Sequence, residues 1–187
     1  MTARLVIAPL DLNRSEELLN ALDALLRDAV ESGASVGFLP PLSVEEARAF
    51  WQETLDEVAA GTRLALGAWL DEQLAGTVHL ALAMKQNGRH RAEVQKLLVH
   101  TTARRQGVAQ QLLDAIERAA LESGRTLLVL DTEQGSDAER LYRRVGYTEA
   151  GVIPRFAATT AGPLTATVIF YKELARAPLP SSSETRE

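Results

Sequence analysis

The chain has 187 residues, a formal net charge of -5, 46% hydrophobic and 24% charged residues, and no cysteine. That length fits one globular domain with its own core, and the composition is that of a folded chain. The missing cysteines exclude disulfides, thiolate metal ligands and a cysteine nucleophile.

No apolar run approaches the ~20 residues of a membrane span. The opening stretch MTARLVIAPLDLNR lacks the basic head and apolar core of a signal peptide. A cytoplasmic location is therefore expected, with no membrane partner. Basic residues gather locally, at Arg89–Arg91 and Arg104–Arg105. A local basic patch on an acidic protein suits a small anionic ligand, and no nucleic-acid partner is expected. A single domain over 1–175 and a disordered, Pro/Ser-rich tail over 176–187 are expected.

In chain order, residues 4–8 (RLVIA) predict a short strand. The stretch NRSEELLNALDALLRDAVESG predicts a helix. Asn13 with Glu16 fits a capping box, Gly33 fits the stop, and Leu18, Leu22, Leu25 and Ala29 share one face. Residues 34–42 predict a loop with an exposed Phe38. SVEEARAFWQETLDEVAAG predicts a second helix, with Ser43 and Glu46 as its capping box and Gly61 at its end.

Three strands follow at 63–70, 74–84 and 91–100. Asp71-Glu72 and Asn87-Gly88 supply the turns of an antiparallel meander. A helix over 105–123 stops at Gly124. TLLVLDT (126–132) carries an apolar run, as in a strand buried on both faces and parallel to a neighbour. A short helix over 137–145, ended by Gly146, and strands near 147–153 and 166–174 complete the order β-αα-βββ-α-β-α-ββ. Residues 91–132 form a βαβ unit, with a right-handed crossover expected. The fold class is α/β, a mixed sheet with helices on both faces.

The first functional signal is the turn HTTARRQGVAQQLL (100–113). A helix N-terminus carries unpaired N–H groups and a partial positive charge. Gly107 lets backbone approach a ligand, and Ala109 is nearly as small. The amides of Arg105, Gln106, Gly107, Val108, Ala109 and Gln110 suit a pyrophosphate, with Arg104 and Arg105 to balance charge. The Walker pattern and the Rossmann fingerprint are both absent, which argues against nucleoside triphosphates and NAD. Taken alone, the same residues also fit a basic turn with a solvated face.

The context narrows that choice. Arg104-x-x-Gly107-x-Ala109 matches Q/R-x-x-G-x-G/A, and Val94-x-x-Leu97-x-Val99 stands ahead of it on a strand. Further on comes Ala138-x-x-x-Tyr142-x-x-x-Gly146-Tyr147. With both motifs in order, residues 62–173 resemble the GNAT superfamily of acyl-CoA-dependent N-acyltransferases.

The resemblance implies a mostly antiparallel twisted sheet of about seven strands with a splayed central parallel pair. It implies acetyl-CoA or coenzyme A as cosubstrate, no metal, and an amine acceptor; a homodimer is an open expectation. Leu97, Leu98 and Val99 would meet the pantetheine arm, and Arg105–Gln110 the pyrophosphate. Gly135 stands where the family often has an asparagine, leaving the backbone or Ser136 to supply that contact.

Acetyl transfer needs a neutral amine, a stabilised oxyanion and a departing thiolate. Backbone N–H near Leu98–Val99 would polarise the thioester carbonyl. Tyr142 is the candidate acid for the leaving sulfur. A phenol pKa of about 10 lies above a thiol's about 8.5, so it is expected chiefly as a hydrogen-bond donor. Glu93 is the first candidate base, directly or through water, and a structural glutamate is the other reading. Asp131, at the end of the buried strand, is the second. It would alternatively bind the substrate ammonium or cap the next turn.

His79, His90 and His100 share no metal-ligand spacing, and Trp51 and Trp69 are expected in the core. Arg89-His90-Arg91 reads as a solvated hairpin end or, alternatively, as a binder of substrate carboxylate. The stretches NGRHRAEVQKLLVH, EAGVIPRFA and TVIFYKEL further resemble acetyltransferases of the tabtoxin-resistance type. That likeness implies a small amino-acid-like antimetabolite or antibiotic as acceptor, walled by 34–42, 44–60 and 153–165. Two alternatives remain open: acetylation of protein N-termini or lysines, and a non-catalytic acyl-CoA sensor.

Overall fold

The computed structural model describes residues 4–13 and 15–175, so the predicted tail at 176–187 lies outside the described residues. The elements are β1 (Leu5–Pro9), α1 (Glu16–Glu31), α2 (Val44–Ala59), β2 (Arg63–Leu70), β3 (Gln73–Leu82) and β4 (Arg91–Val99). They continue as α3 (Val108–Glu122), β5 (Leu127–Glu133), α4 (Asp137–Arg144), β6 (Thr148–Ala158) and β7 (Leu164–Glu173). This is the predicted order. The seven strands form one sheet, β1-β2-β3-β4-β5-β7-β6. Every pairing is antiparallel except β4–β5.

The parallel pair meets over three positions: Arg91↔Leu127, Ala92↔Leu128 and Glu93↔Val129. Beyond them β4 runs on to Val99 and β5 to Glu133 with no further pairing. The strands part there, and the sheet opens at its centre. Side-chain alternation then sorts the two faces. Ala92, Val94, Leu128 and Leu130 pack with Val108, Leu112, Leu113 and Ile116 of α3. On the other face Leu22, Leu25 and Leu26 of α1 and Trp51 and Leu55 of α2 form a second core. Trp51 is buried, as expected, and Trp69 is partly buried against that core. Among the described residues, no helix is long and apolar enough to cross a membrane.

Several boundaries differ from the sequence reading, and the larger differences have local reasons. The N-cap of α1 is Ser15, whose hydroxyl accepts from the Leu18 amide at 3.2 Å, while Asn13 turns back onto Asp11. The Ser43/Glu46 capping box of α2 is present as predicted. Helix α3 starts at Val108 because Arg105 (φ +61°) and Gly107 (φ +78°) occupy the left-handed region. Strands β6 and β7 run longer than predicted, because a register shift between Ile153 and Ala157 absorbs Pro154 and a left-handed Arg155. Phe38 is not exposed: it is half-buried, with its ring edge-on to Phe50 at 5.4 Å.

Candidate functional site

The end of β4 and the start of α3 present backbone donors. The first intrahelical bond of α3 runs from Gln111 N–H to the Gly107 carbonyl, and no side chain caps the helix. Among the described residues, the six successive amides of Arg105, Gln106, Gly107, Val108, Ala109 and Gln110 have no hydrogen-bond acceptor. The left-handed turn at Gly107 is open in front: a Cβ there would meet nothing nearer than the Gln111 side-chain nitrogen at 3.9 Å. A row of amides at a helix start fits a pyrophosphate.

The two arginines divide the work. Arg104 is committed internally, donating from Nε to the Val99 carbonyl at 3.2 Å and from Nη2 to Ser32 Oγ at 2.5 Å. It ties the end of β4 to the end of α1. Arg105 is exposed, and its side chain makes no hydrogen bond or ion pair among the described residues. Leu97, Leu98 and Val99 form the last turn-free stretch of β4 leading to this loop.

Glu93 is the last paired residue before β4 and β5 part. Asp131 lies two residues beyond Val129 on β5, so alternation puts both carboxylates on the α1–α2 face. Gln95 Nε2 donates to Glu93 Oε1 at 2.9 Å, and Arg63 Nη1 donates to Gln95 Oε1 at 2.8 Å. Arg63 is also ion-paired with Glu57. Thr167 Oγ1 donates to Asp131 Oδ2 at 2.8 Å. Both candidate acids are thus oriented by neutral donors, a state in which a carboxylate keeps lone pairs for a substrate.

Tyr142 projects from α4 and is 6% exposed. Its ring meets Tyr147 edge-on at 5.5 Å and lies 6.3 Å from Phe170. Its hydroxyl has no hydrogen-bond partner among the described residues. Burial, and then the negative charge of Asp131, raise its pKa above the ordinary phenol value of 10.0. The hydroxyl therefore holds its proton at neutral pH.

Gly135 and Ser136 are engaged with α4. The Gly135 amide donates to Glu139 Oε2 at 2.6 Å, and Ser136 Oγ accepts from the Glu139 amide at 3.1 Å. The pair caps the helix that carries Tyr142. Among the described residues no group of three His, Asp or Glu is placed to hold a metal.

A cleft of about 190 Å³ lies between the α1–α2 loop and the β6–β7 hairpin, with Gly37, Phe38, Glu133, Ala157 and Thr160 among its walls. A wider, more open groove of about 360 Å³ on the α3 side, beside Glu117 and Lys172, holds none of these candidates. Lys96, Gln95, Arg63 and Thr167 are site neighbours that motif reading missed. One signal for them is visible in the sequence: the apolar phase on β4 slips between Val94 and Leu97. A strand that keeps its period has no reason to do that.

A half-splayed α/β sheet with a row of free amides at one end and two carboxylates on one face of the fork fits an acyl-CoA-dependent transferase. The model of the acetyltransferase (GNAT) family matches residues 21–147, and the chain belongs to that family. It is accordingly an N-acetyltransferase that uses acetyl-CoA. Solved structures share the fold. A ribosomal-protein-alanine N-acetyltransferase from Brucella melitensis is 24% identical with a TM-score of 0.75, covering 90% of this chain and 99% of that one. The yncA protein of Salmonella typhimurium, solved with its cofactor acetyl-CoA, is 17% identical with a TM-score of 0.74, covering 95% and 98%. An aminoglycoside 6'-N-acetyltransferase complexed with coenzyme A is 18% identical with a TM-score of 0.70, covering 92% and 99%.

Proposed function

We propose that this enzyme acetylates the primary amine of a small molecule of the amino-acid-like antimetabolite or antibiotic kind, by direct attack on the thioester. The observation that carries the proposal is the position of Glu93 and Asp131 on one face of the fork, the same face of β5 whose Glu133 lines a cleft of small volume. A walled cleft suits a small acceptor better than a polypeptide, which needs an open groove. The tabtoxin-resistance-like subgroup belongs to this proposal, as does a cytoplasmic site of action.

In this reading the Arg105–Gln110 amides and the Arg105 side chain hold the pyrophosphate, and Leu97–Val99 flank the pantetheine. Arg104 supports the loop from behind. Gly135 and Ser136 act through α4 by setting the position of Tyr142. Glu93 takes the amine proton directly or through water, Asp131 holds the incoming ammonium, and Tyr142 donates to the departing sulfur. Holding the two reactants together supplies much of the acceleration.

Thiol release from acetyl-CoA, followed across a library of small amines, protein N-terminal peptides and lysine peptides, tests it. Small amines are expected to be turned over, and Glu93→Gln to lower kcat about 10²–10⁴-fold. Turnover confined to peptides would reassign the cleft to a protein acetyltransferase. Release at the background rate with every amine would favour a non-catalytic acyl-CoA sensor.

A further inference from the structure

Lys96 lies on β4, where Ala92 and Val94 face α3. Strict alternation would send Lys96 to that same apolar face. It does not go there. His79 pairs with Gln95 and Thr77 with Leu98, so β4 spends three residues where β3 spends two. Such a bulge re-aims one side chain.

Lys96 takes φ +49°, a left-handed conformation that costs a non-glycine residue local strain. Thr77 Oγ1 donates to its carbonyl at 3.2 Å. The side chain emerges on the α1–α2 face, with Nζ 5.3 Å from the Phe50 ring centroid and 6.0 Å from that of Phe38. A Cβ on Gly37 would stand 3.7 Å from Nζ. Gly37 and Phe38 line the cleft.

The other charged groups around the fork each have a hydrogen-bond or ion-pair partner. Arg63 is taken by Glu57 and Gln95, Glu93 by Gln95, and Asp131 by Thr167. Among the described residues Lys96 Nζ has no hydrogen bond and no ion pair. Aromatic faces attract an ammonium but give its N–H groups no oxygen to donate to. Burial, then Arg63, push its pKa below the ordinary 10.5, while Glu93 and Asp131 push it back up. A desolvated cation of this kind gains most from an incoming anion.

We infer that Lys96 is a specificity-determining residue: its ammonium, turned by the β4 bulge toward the Gly37–Phe38 wall of the cleft and flanked by Phe38 and Phe50, binds a carboxylate that the acceptor carries close to its reacting amine. The acceptor is then a zwitterion, read by Asp131 and Glu93 at one end and Lys96 at the other. This rests on the reading of the cleft as an amine-acceptor site.

The test pairs α-amino acids with their carboxamides. In thiol release the free amines are compared. By calorimetry the matching N-acetyl acids and N-acetyl amides are titrated into the protein–coenzyme A complex, which needs no turnover. The wild type is expected to prefer acid over amide at least tenfold in both assays. Lys96→Met, which keeps a long stem against the rings, should abolish the preference, and Lys96→Arg should retain it. Coenzyme A affinity should stay unchanged in both variants.

Equal binding of acids and amides by the wild type, or no binding of any acid, overturns the inference. So does a preference that survives in Lys96→Met. Loss of turnover on acids and amides alike in Lys96→Arg would mark Lys96 as a proton acceptor, since arginine keeps its proton. Should Lys96→Met fail to fold, the wild-type ratio and the arginine variant decide. Acid-selective binding without thiol release on any amine would sink the amine-acceptor reading while leaving the carboxylate site standing.

Discussion

Replacing Tyr142 with phenylalanine removes one oxygen and nothing else. The side chain is 6% exposed, and its ring contacts with Tyr147 and Phe170 do not involve the hydroxyl. No hydrogen-bond partner is lost among the described residues, so stability is expected to change by less than about 1 kcal/mol. Burial and Asp131 keep the phenol protonated well above neutral pH. In the proposed role its contribution to transfer is one hydrogen bond to the charge that develops on sulfur. A hydrogen bond to a charged group is worth about 1.5–3 kcal/mol net. At about 1.36 kcal/mol per tenfold in rate, kcat should fall about 10- to 150-fold. Thiol release at saturating substrates measures it, with calorimetric coenzyme A affinity and a thermal melt as controls. A kcat within twofold of wild type would refute the role, and a kcat loss matched by a fall in coenzyme A affinity would place Tyr142 in binding instead.

Gly107 and Gly124 share a φ of +78°, so alanine strains the backbone equally, by about 1–2 kcal/mol, at the start and end of α3. Only Gly107→Ala is expected to weaken coenzyme A binding; equal affinities in the two variants would remove the cradle. His79 is fully buried, and burial first, then Arg63 and Lys96, hold its pKa well below 6.5. The folded chain keeps it neutral while the unfolded chain protonates it. Its contribution is therefore complete above pH 6.5 and is lost below it, by up to about 1.4 kcal/mol per pH unit. Urea melts above and below pH 6.5 should show a shallower acid-side loss in His79→Leu than in wild type, and equal losses would contradict this. Thr167→Val frees Asp131 from its donor while leaving the strand intact; KM for the amine should rise with coenzyme A affinity unchanged, and an unaltered KM would remove Asp131 from acceptor binding.

The order of elements was legible because helix caps, turn glycines and apolar periods all act locally. The apolar run Leu127–Leu130 announced a strand parallel to a neighbour, although only Leu128 and Leu130, on the α3 face, are buried, and the glycine-bearing turn at 104–109 announced the start of α3. The shift of the α1 cap from Asn13 to Ser15 and of the α3 start to Val108 turned on single-residue dihedrals that residue type does not determine. At the site, the motifs located Glu93, Asp131 and Tyr142 but not the groups that orient them. Gln95, Arg63 and Thr167 come from three different strands, and only sheet register brings them together. Arg104 and Arg105 are adjacent and chemically alike, yet one holds the loop and the other faces outward. That division depends on Ser32, 72 residues away. Lys96 was hidden because a bulge inverts the face on which alternation would place it.

The central claim is that the unsatisfied amides over Arg105–Gln110 bind the pyrophosphate of acetyl-CoA. Calorimetric titration of acetyl-CoA into the purified protein, repeated with Gly107→Ala and Gly124→Ala, tests it most directly. One-to-one binding is expected that weakens with added salt, is lost or much reduced in Gly107→Ala, and is unchanged in Gly124→Ala. No binding by the wild type, or equal binding by all three proteins, would contradict it and return the loop to a basic turn.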